Sequence, residues 1–270
     1  MNTAVRRIAW AAVLLPLAGA PATAIGAELV RDGAGVVRQV VDGDTVVLAD
    51  GREIRLVGIQ APKLPLGRAH VREWPLAREA KAALERMVKD KPVTLSFGGR
   101  RRDRHRRWLA HLHLEEGAAD AGADERWVQG RLLAAGLARV YSFADNRAAV
   151  AGMLALERAA RAAKRGIWAH AYYAILDHGA AGRKLNSFQL VEGRILTAAP
   201  TRSRVFLNFG QDWRTDFTIV IARRHLKHFE DRGRKLVALA GKRVRVRGWL
   251  KRRNGPMIAV THPEQIEVLE

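Results

Sequence analysis

From residue 36 to residue 60 apolar and polar positions alternate with the period of a β-strand, broken by turn chemistry. Val36-Val37-Arg38-Gln39-Val40-Val41 runs into the turn Asp42-Gly43-Asp44, and Thr45-Val46-Val47-Leu48 follows. Asp50-Gly51 is a hairpin signal, and Ile54-Arg55-Leu56-Val57-Gly58-Ile59 makes a third segment. Three strands joined by tight turns predict a meander. Over 75–89 the period becomes helical: Leu76, Ala80, Ala83, Leu84, Met87 and Val88 recur at spacings of three and four, and Pro92 stops the run. Strands are predicted over 93–97 and 108–114, with an arginine-rich loop between them. Helices are predicted over 128–137 and 148–163, the second closed by Lys164-Arg165-Gly166, a basic last turn and a glycine stop.

Residues 169–186 read as a connector, loosest at Gly179-Ala180-Ala181-Gly182. Beyond it, strands are expected over 190–195, 204–209 and 217–221, then a helix over 225–240. Arg243-Val244-Arg245-Val246-Arg247-Gly248-Trp249-Leu250 alternates strictly, which predicts its arginines on one face and its apolar residues on the other. An Asn254-Gly255 turn and strands over 257–260 and 265–269 complete the block. The class is α+β and β-rich: an OB-fold barrel decorated with helices over 28–168, and a second small OB-like β-barrel domain, basic in charge, over 187–270.

Composition adds three constraints. Arg6 and Arg7 precede an apolar run over 8–20, too short to span a bilayer, followed by small residues at Ala22-Thr23-Ala24 and Ile25-Gly26-Ala27. Residues 1–27 therefore read as a cleaved signal peptide, and the mature protein as exported, periplasmic or secreted, without a membrane anchor. There is no cysteine, which excludes disulfides, thiolate metal sites and cysteine nucleophiles. Lys and Arg number 47 against 27 Asp and Glu, for a net charge of +20. The excess is shared between the halves: 28 against 19 over residues 28–185, and 17 against 8 over 186–270. Such a balance attracts nucleic acid, anionic lipid or acidic envelope polymers.

Six short motifs in order connect residues 36–168 to a known family: Val41-Asp42-Gly43-Asp44-Thr45, Ile54-Arg55-Leu56-Val57-Gly58-Ile59-Gln60-Ala61-Pro62, Arg78-Glu79-Ala80, the loop from Arg102 to Ala110, Leu133-Ala134-Ala135-Gly136-Leu137-Ala138, and Gly166-Ile167-Trp168. The stretch resembles the staphylococcal-nuclease-like (thermonuclease) family. The resemblance implies calcium-dependent phosphodiester hydrolysis, with carboxylates holding the metal, a carboxylate general base and two arginines on the phosphate. It places Asp44 at the turn metal ligand, with Asp42 as its supporting neighbour, and Arg55 and Arg107 at the phosphate arginines.

At the other two positions the chain departs from the family. Gln60 stands at the second metal ligand and Lys63 at the general base. An amide carbonyl can still ligate calcium but carries no charge. An ammonium cannot take a proton, and a base typically contributes about two to four powers of ten in rate.

The preferred reading is therefore a degenerate site that binds nucleic acid or another polyanion, with Arg104, Arg106, Arg245, Arg247 and Trp249 as further contacts and calcium binding weakened. An active metal-dependent nuclease with a relocated base (His70, Glu73 or His105) and a structural protein of the envelope stand as alternatives. His111 and His113 share a strand face and could pair on a metal, although exposed or hydrogen-bonded histidines are the commoner outcome of such spacing. Trp213 and Trp249 flank basic strands, as on a single-strand binding face.

Overall fold

The computed structural model describes residues 29–69, 71–115, 126–230 and 236–269, so the expected signal peptide and His70 lie outside the described residues. Its first body is a closed five-stranded barrel, in the order β1-β2-β3-β6-β5. The strands are β1 (Val30–Asp42), β2 (Thr45–Leu48), β3 (Glu53–Leu56), β4 (Gly58–Gln60), β5 (Pro92–Phe97), β6 (Trp108–Leu114) and β7 (Arg139–Tyr141). β1 is long enough to serve two neighbours. Its first half pairs with β5 and its second half with β2, with register shifts that bend it around the barrel. The exposed Arg31-Asp32-Gly33 stretch that begins β1 shows no alternation, which is why the pattern predicts a start only at Val36.

Among the described residues, three helices cover the barrel: α1 (Ala77–Val88), α2 (Val128–Ala134) and α3 (Val150–Ala162). α1 buries Ala77, Ala80, Leu84 and Val88, the stripe its periodicity predicts. Val37, Leu48, Ile54, Leu56, Leu95 and Leu112 meet Leu84, Leu132 and Met153 in one core. β4 leaves the barrel to pair with β7, which sets Gln60 opposite Arg139. The β1–β2 turn lies hard against α1: a β-carbon at Gly43 would stand 2.7 Å from Ala61 Cβ and 2.9 Å from Ala80 Cβ. Glycine there lets the acidic turn sit down on the segment that carries residues 60–63.

The expected connector is structured. Residues 178–184 form 3-10 turns with Ala181 fully buried, and β8 (Leu176–Asp177) pairs with β9 (Phe188–Arg194). The remaining elements are β10 (Thr197–Pro200), β11 (Arg204–Asn208), β12 (Thr218–Ala222), α4 (Arg223–Glu230), β13 (Arg243–Arg253), β14 (Gly255–Val260) and β15 (Ile266–Val268). The sequence pattern misses β10, a short edge strand of small residues. The helix expected over 225–240 is instead α4 and, at 236–239, a 3-10 turn whose Leu236 and Leu239 enter the core.

Strand order in this block is an open path, β10-β11-β12-β14-β13-β9-β8, with β15 on β13. Strand pairing among the described residues thus does not close the small barrel expected here. Between β9 and β10 the chain bonds instead to the 241–242 segment, through Ile195 N–H to Lys242 O and Gly241 N–H to Ile195 O.

The two blocks are pinned together. Ser142 meets His262 at 2.8 Å, Arg147 meets Glu264 at 2.9 Å, and Arg161 meets Glu267 at 3.0 Å. Arg247 of β13 reaches across to Glu157 of α3 at 2.9 Å.

Candidate functional site

The β1–β2 turn fixes the acidic pair. The Asp44 amide donates to Asp42 Oδ1 at 3.1 Å, closing an Asx-type turn that aims the Asp44 side chain inward. That carboxylate is fully buried and held on all sides. Oδ2 accepts the Ala61 amide at 2.8 Å, Thr45 Oγ1 donates to Oδ1 at 3.4 Å, and Arg55 approaches Oδ2 at 3.2 Å.

The nearer of the two cations on Asp44 is Lys63. Its Nζ donates to both Asp44 oxygens, at 2.9 and 2.7 Å, and lies 3.7 Å from Asp42 Oδ2. Burial pushes the Asp44 carboxyl up, but Arg55 and Lys63 outweigh it and hold the group at about 2. Asp42 moves the other way: burial and the Asp44 charge raise it above the usual carboxylate range.

Gln60 turns away from this cluster. Its Oε1 accepts from Arg139 Nε at 3.0 Å and Nη2 at 2.7 Å. Arg139 is itself buried, with its guanidinium 4.8 Å from the Phe188 ring, and burial lowers its pKa to about 10. The amide oxygen thus satisfies a desolvated cation. Arg55 is also largely engaged: it donates to the carbonyls of Asp44, Leu56 and Ile59 at 3.2, 2.6 and 2.7 Å. It braces the turn while forming part of the cleft wall.

That cleft has a volume of about 480 Å³. Arg55, Arg104, His105 and Arg107 stand on its cationic side; Tyr141, Phe143 and Trp249 form an aromatic side. Arg107 is oriented by Asp103, Nε to Oδ2 at 2.8 Å, and remains partly exposed. The aromatic rings hold one another: Tyr141 and Phe143 meet edge to face at 4.9 Å, and Trp249 Nε1 donates to the Tyr141 hydroxyl at 2.9 Å. The structure therefore places Arg55, Arg104 and Arg107 of the first block around one cleft, and adds Tyr141, Phe143 and, from the second block, Trp249, which the sequence pattern puts on a separate face. Arg106 falls outside this cleft, in a neighbouring hollow with Arg52 and Arg102.

Residues 53–170 match the family model described as staphylococcal nuclease homologue. These residues form a staphylococcal nuclease homologue domain. No curated protein matches the chain in the comparison made. The closed five-stranded barrel is the one expected of such a nuclease homologue.

Calcium, which this family uses, does not fit the residues at the family's metal position. The Asp44 carboxylate is occupied by an ammonium, the Gln60 carbonyl by a guanidinium, and the amide is uncharged. Among the described residues, no group of three or more His, Asp or Glu is placed to hold a metal ion.

Two further expectations are corrected, those for Arg247 and Arg245. Arg247 does not share a binding face with Arg245: it is 1% exposed, clasped by Glu157 and Glu267 at the junction of the blocks. Arg245 is paired with Glu192 and lies 3.7 Å from Glu267. The alternation of β13 is real, but its inner arginines face the carboxylates of α3, β9 and β15 rather than solvent. The sequence signal for this was Glu157, an acid on the otherwise apolar face of a helix. At His111 the structure shows the hydrogen-bonded alternative to a metal pair. His111 Nδ1 accepts from Trp127 Nε1 at 3.2 Å, and burial lowers the two rings to about 3 and about 4. Of the substitute bases, Glu73 is bound bidentately by Arg78, whereas His105 lines the cleft.

Proposed function

We propose that the nuclease-homologue domain binds the phosphates of single-stranded nucleic acid in the Arg55–Arg107 cleft without cutting them, and does so without a metal ion. The observation that carries this reading is the Lys63 ammonium, seated on both oxygens of Asp44 where the family holds calcium. It neutralises the buried carboxylate behind Arg55, yet it supplies neither a Lewis acid nor a base. Ground-state attraction for a polyanion survives; the differential stabilisation that accelerates hydrolysis does not. The aromatic side favours a single strand, because unpaired bases offer the flat faces that Tyr141, Phe143 and Trp249 can stack against. With the export expected of residues 1–27, the ligand would be met in the periplasm or outside the cell.

Binding of a labelled oligothymidylate, followed by fluorescence anisotropy with calcium and with EDTA, tests the proposal. Equal affinity in both conditions is expected. A logarithmic salt slope of about −0.7 per phosphate contact should also appear, smaller by about one contact in Arg107→Ser. Calcium-dependent cleavage by the parent protein would sink the reading. His105 in the cleft favours one second reading, hydrolysis without metal, for which cleavage in EDTA abolished by His105→Gln is the signature.

A further inference from the structure

Outside the nuclease-homologue domain, the sheet formed by β10, β11, β12, β14 and the end of β13 has two unlike faces. One buries Val205, Leu207, Ile219, Ile221, Leu250 and Ile258 in the second core. Register places the alternate residues together on the other face. Ala199 lies opposite Phe206, Phe206 opposite Val220, Val220 beside Ala259, and Met257 opposite Lys251. This second face floors a groove of about 600 Å³, whose rim includes Arg224 and His225 of α4.

The floor is apolar and the rim is cationic: Arg204, Arg224 and Arg253 line the groove, together with Trp213, which is 51% exposed. No carboxylate is among the described residues that line it. Such a lining fits a ligand with flat or apolar parts and repeated negative charges.

The groove is not remote from the catalytic-type cleft. Trp249, Lys251 and Arg253 occupy alternate, exposed positions of β13. Trp249 lines the cleft and Arg253 lines the groove. Four residues of strand separate them, about 13 Å at ~3.3 Å per residue. Lys251 stands between, its Nζ 5.7 Å from the Trp249 ring centroid.

We infer that the cleft and the groove are two ends of one track, along which a single nucleic-acid strand passes from Arg107, over Trp249 and Lys251, to Trp213 and the arginine rim. The inference rests on the cleft reading and extends it: the second block selects for strand length. Phosphates meet cations throughout, and bases meet Tyr141 and Trp249 at one end and Phe206 and Trp213 at the other. Two linked sites bind a strand that reaches both far more tightly than one that reaches either.

Oligothymidylates of about 5 and about 20 nucleotides separate these cases, since single-strand modules of this size engage roughly 4 to 16 nucleotides. The parent protein should bind the longer strand about a hundredfold more tightly. Lys251→Ser/Arg253→Ser changes two exposed residues outside the core; its melting temperature, measured alongside, should equal the parent's. That variant should lose most of the length-dependent gain while the short strand still binds and still responds to Arg107→Ser. Equal affinity for both lengths, or a gain unchanged in the variant, overturns the track and leaves the cleft reading standing. Short-strand binding indifferent to Arg107→Ser instead defeats the cleft reading itself. Vesicles of phosphatidylglycerol and phosphatidylcholine form a third arm. Vesicle binding that the double variant abolishes and the long strand does not displace would assign the groove to lipid phosphate and overturn the proposal.

Discussion

Replacing Arg247 with methionine should loosen the junction on which the aromatic side of the cleft depends. The guanidinium is 1% exposed, Glu157 is 0% exposed and Glu267 is 8% exposed, so the substitution strands two buried carboxylates. Arg247 itself is held protonated: burial works against its charge, but Glu157 and Glu267 outweigh it and raise its pKa. Breaking one partner of a buried pair costs about 3–5 kcal/mol. Arg161 remains within 3.2 Å of Glu157 and 3.0 Å of Glu267, which places the expected loss near the low end, about 3 kcal/mol. For a protein of this size that is roughly a 6–12 °C fall in Tm. Urea denaturation followed by tryptophan fluorescence measures it. The parent should unfold in one transition, and the variant should separate into two, since the pinned junction is what makes the blocks cooperative. Adding Glu157→Gln to Arg247→Met removes one stranded charge yet keeps an acceptor for the Val140 amide, bonded at 2.6 Å, so it should recover about 1 kcal/mol or more. A loss under about 1 kcal/mol, or a double variant no better than the single, refutes the account.

Lys63→Glu should free the Asp44 carboxylate for a cation, weakly held because Gln60 stays bound to Arg139. Calcium should raise the Tm of the variant and leave that of the parent unmoved, as scanning calorimetry can report. Asp44 is held at about 2 against an ordinary value of 3.8, so its contribution is present above about pH 4 and lost as pH falls toward 2. Asp44→Asn should flatten the stability profile in that window by about 2 kcal/mol. His262 behaves differently: burial lowers its pKa to about 4. The unfolded chain therefore takes up the proton first, and stability should fall from about pH 6.5 to about pH 4, a slope that His262→Gln should reduce. Trp249→Ala should weaken single-strand binding about tenfold or more, because stacking contributes about 1–3 kcal/mol per base.

Much of the first body was legible in the sequence because its pattern is local. β6 falls where alternation places it, and the α1 stripe is the one its spacing predicts. The replaced acids were also visible as Gln60 and Lys63, since residue type alone fixes what they cannot do. What the sequence could not convey was where those side chains turn. Gln60 faces Arg139 across the β4–β7 pair, a partner 79 positions away with no local signal. Arg247 has the spacing of a surface arginine, and only its burial against α3, from the other block, reveals its role. Among the described residues, strand pairing traces an open path where a second small barrel is expected, for a similar reason. The link between β9 and β10 is made by the backbone of 241–242, which no hydrophobic period marks.

The Gln60–Arg139 and Lys63–Asp44 contacts also bear on reversibility. Each departure from the nuclease pattern has acquired its own satisfied partner, so the two cannot be undone one at a time. An acid restored at 60 would meet the Arg139 guanidinium before it met any metal, and would still face the Lys63 ammonium across the turn. A glutamate restored at 63 would leave Gln60 bound to Arg139 and the cluster one ligand short. Variants that rebuild the family's acidic metal site must therefore change position 63 together with 60 and 139, and each single step toward that state passes through a mismatched intermediate. The two contacts act as a double latch: each replaced side chain is held by a partner of its own, so the family's acid pair is reached from this sequence only by several substitutions made together.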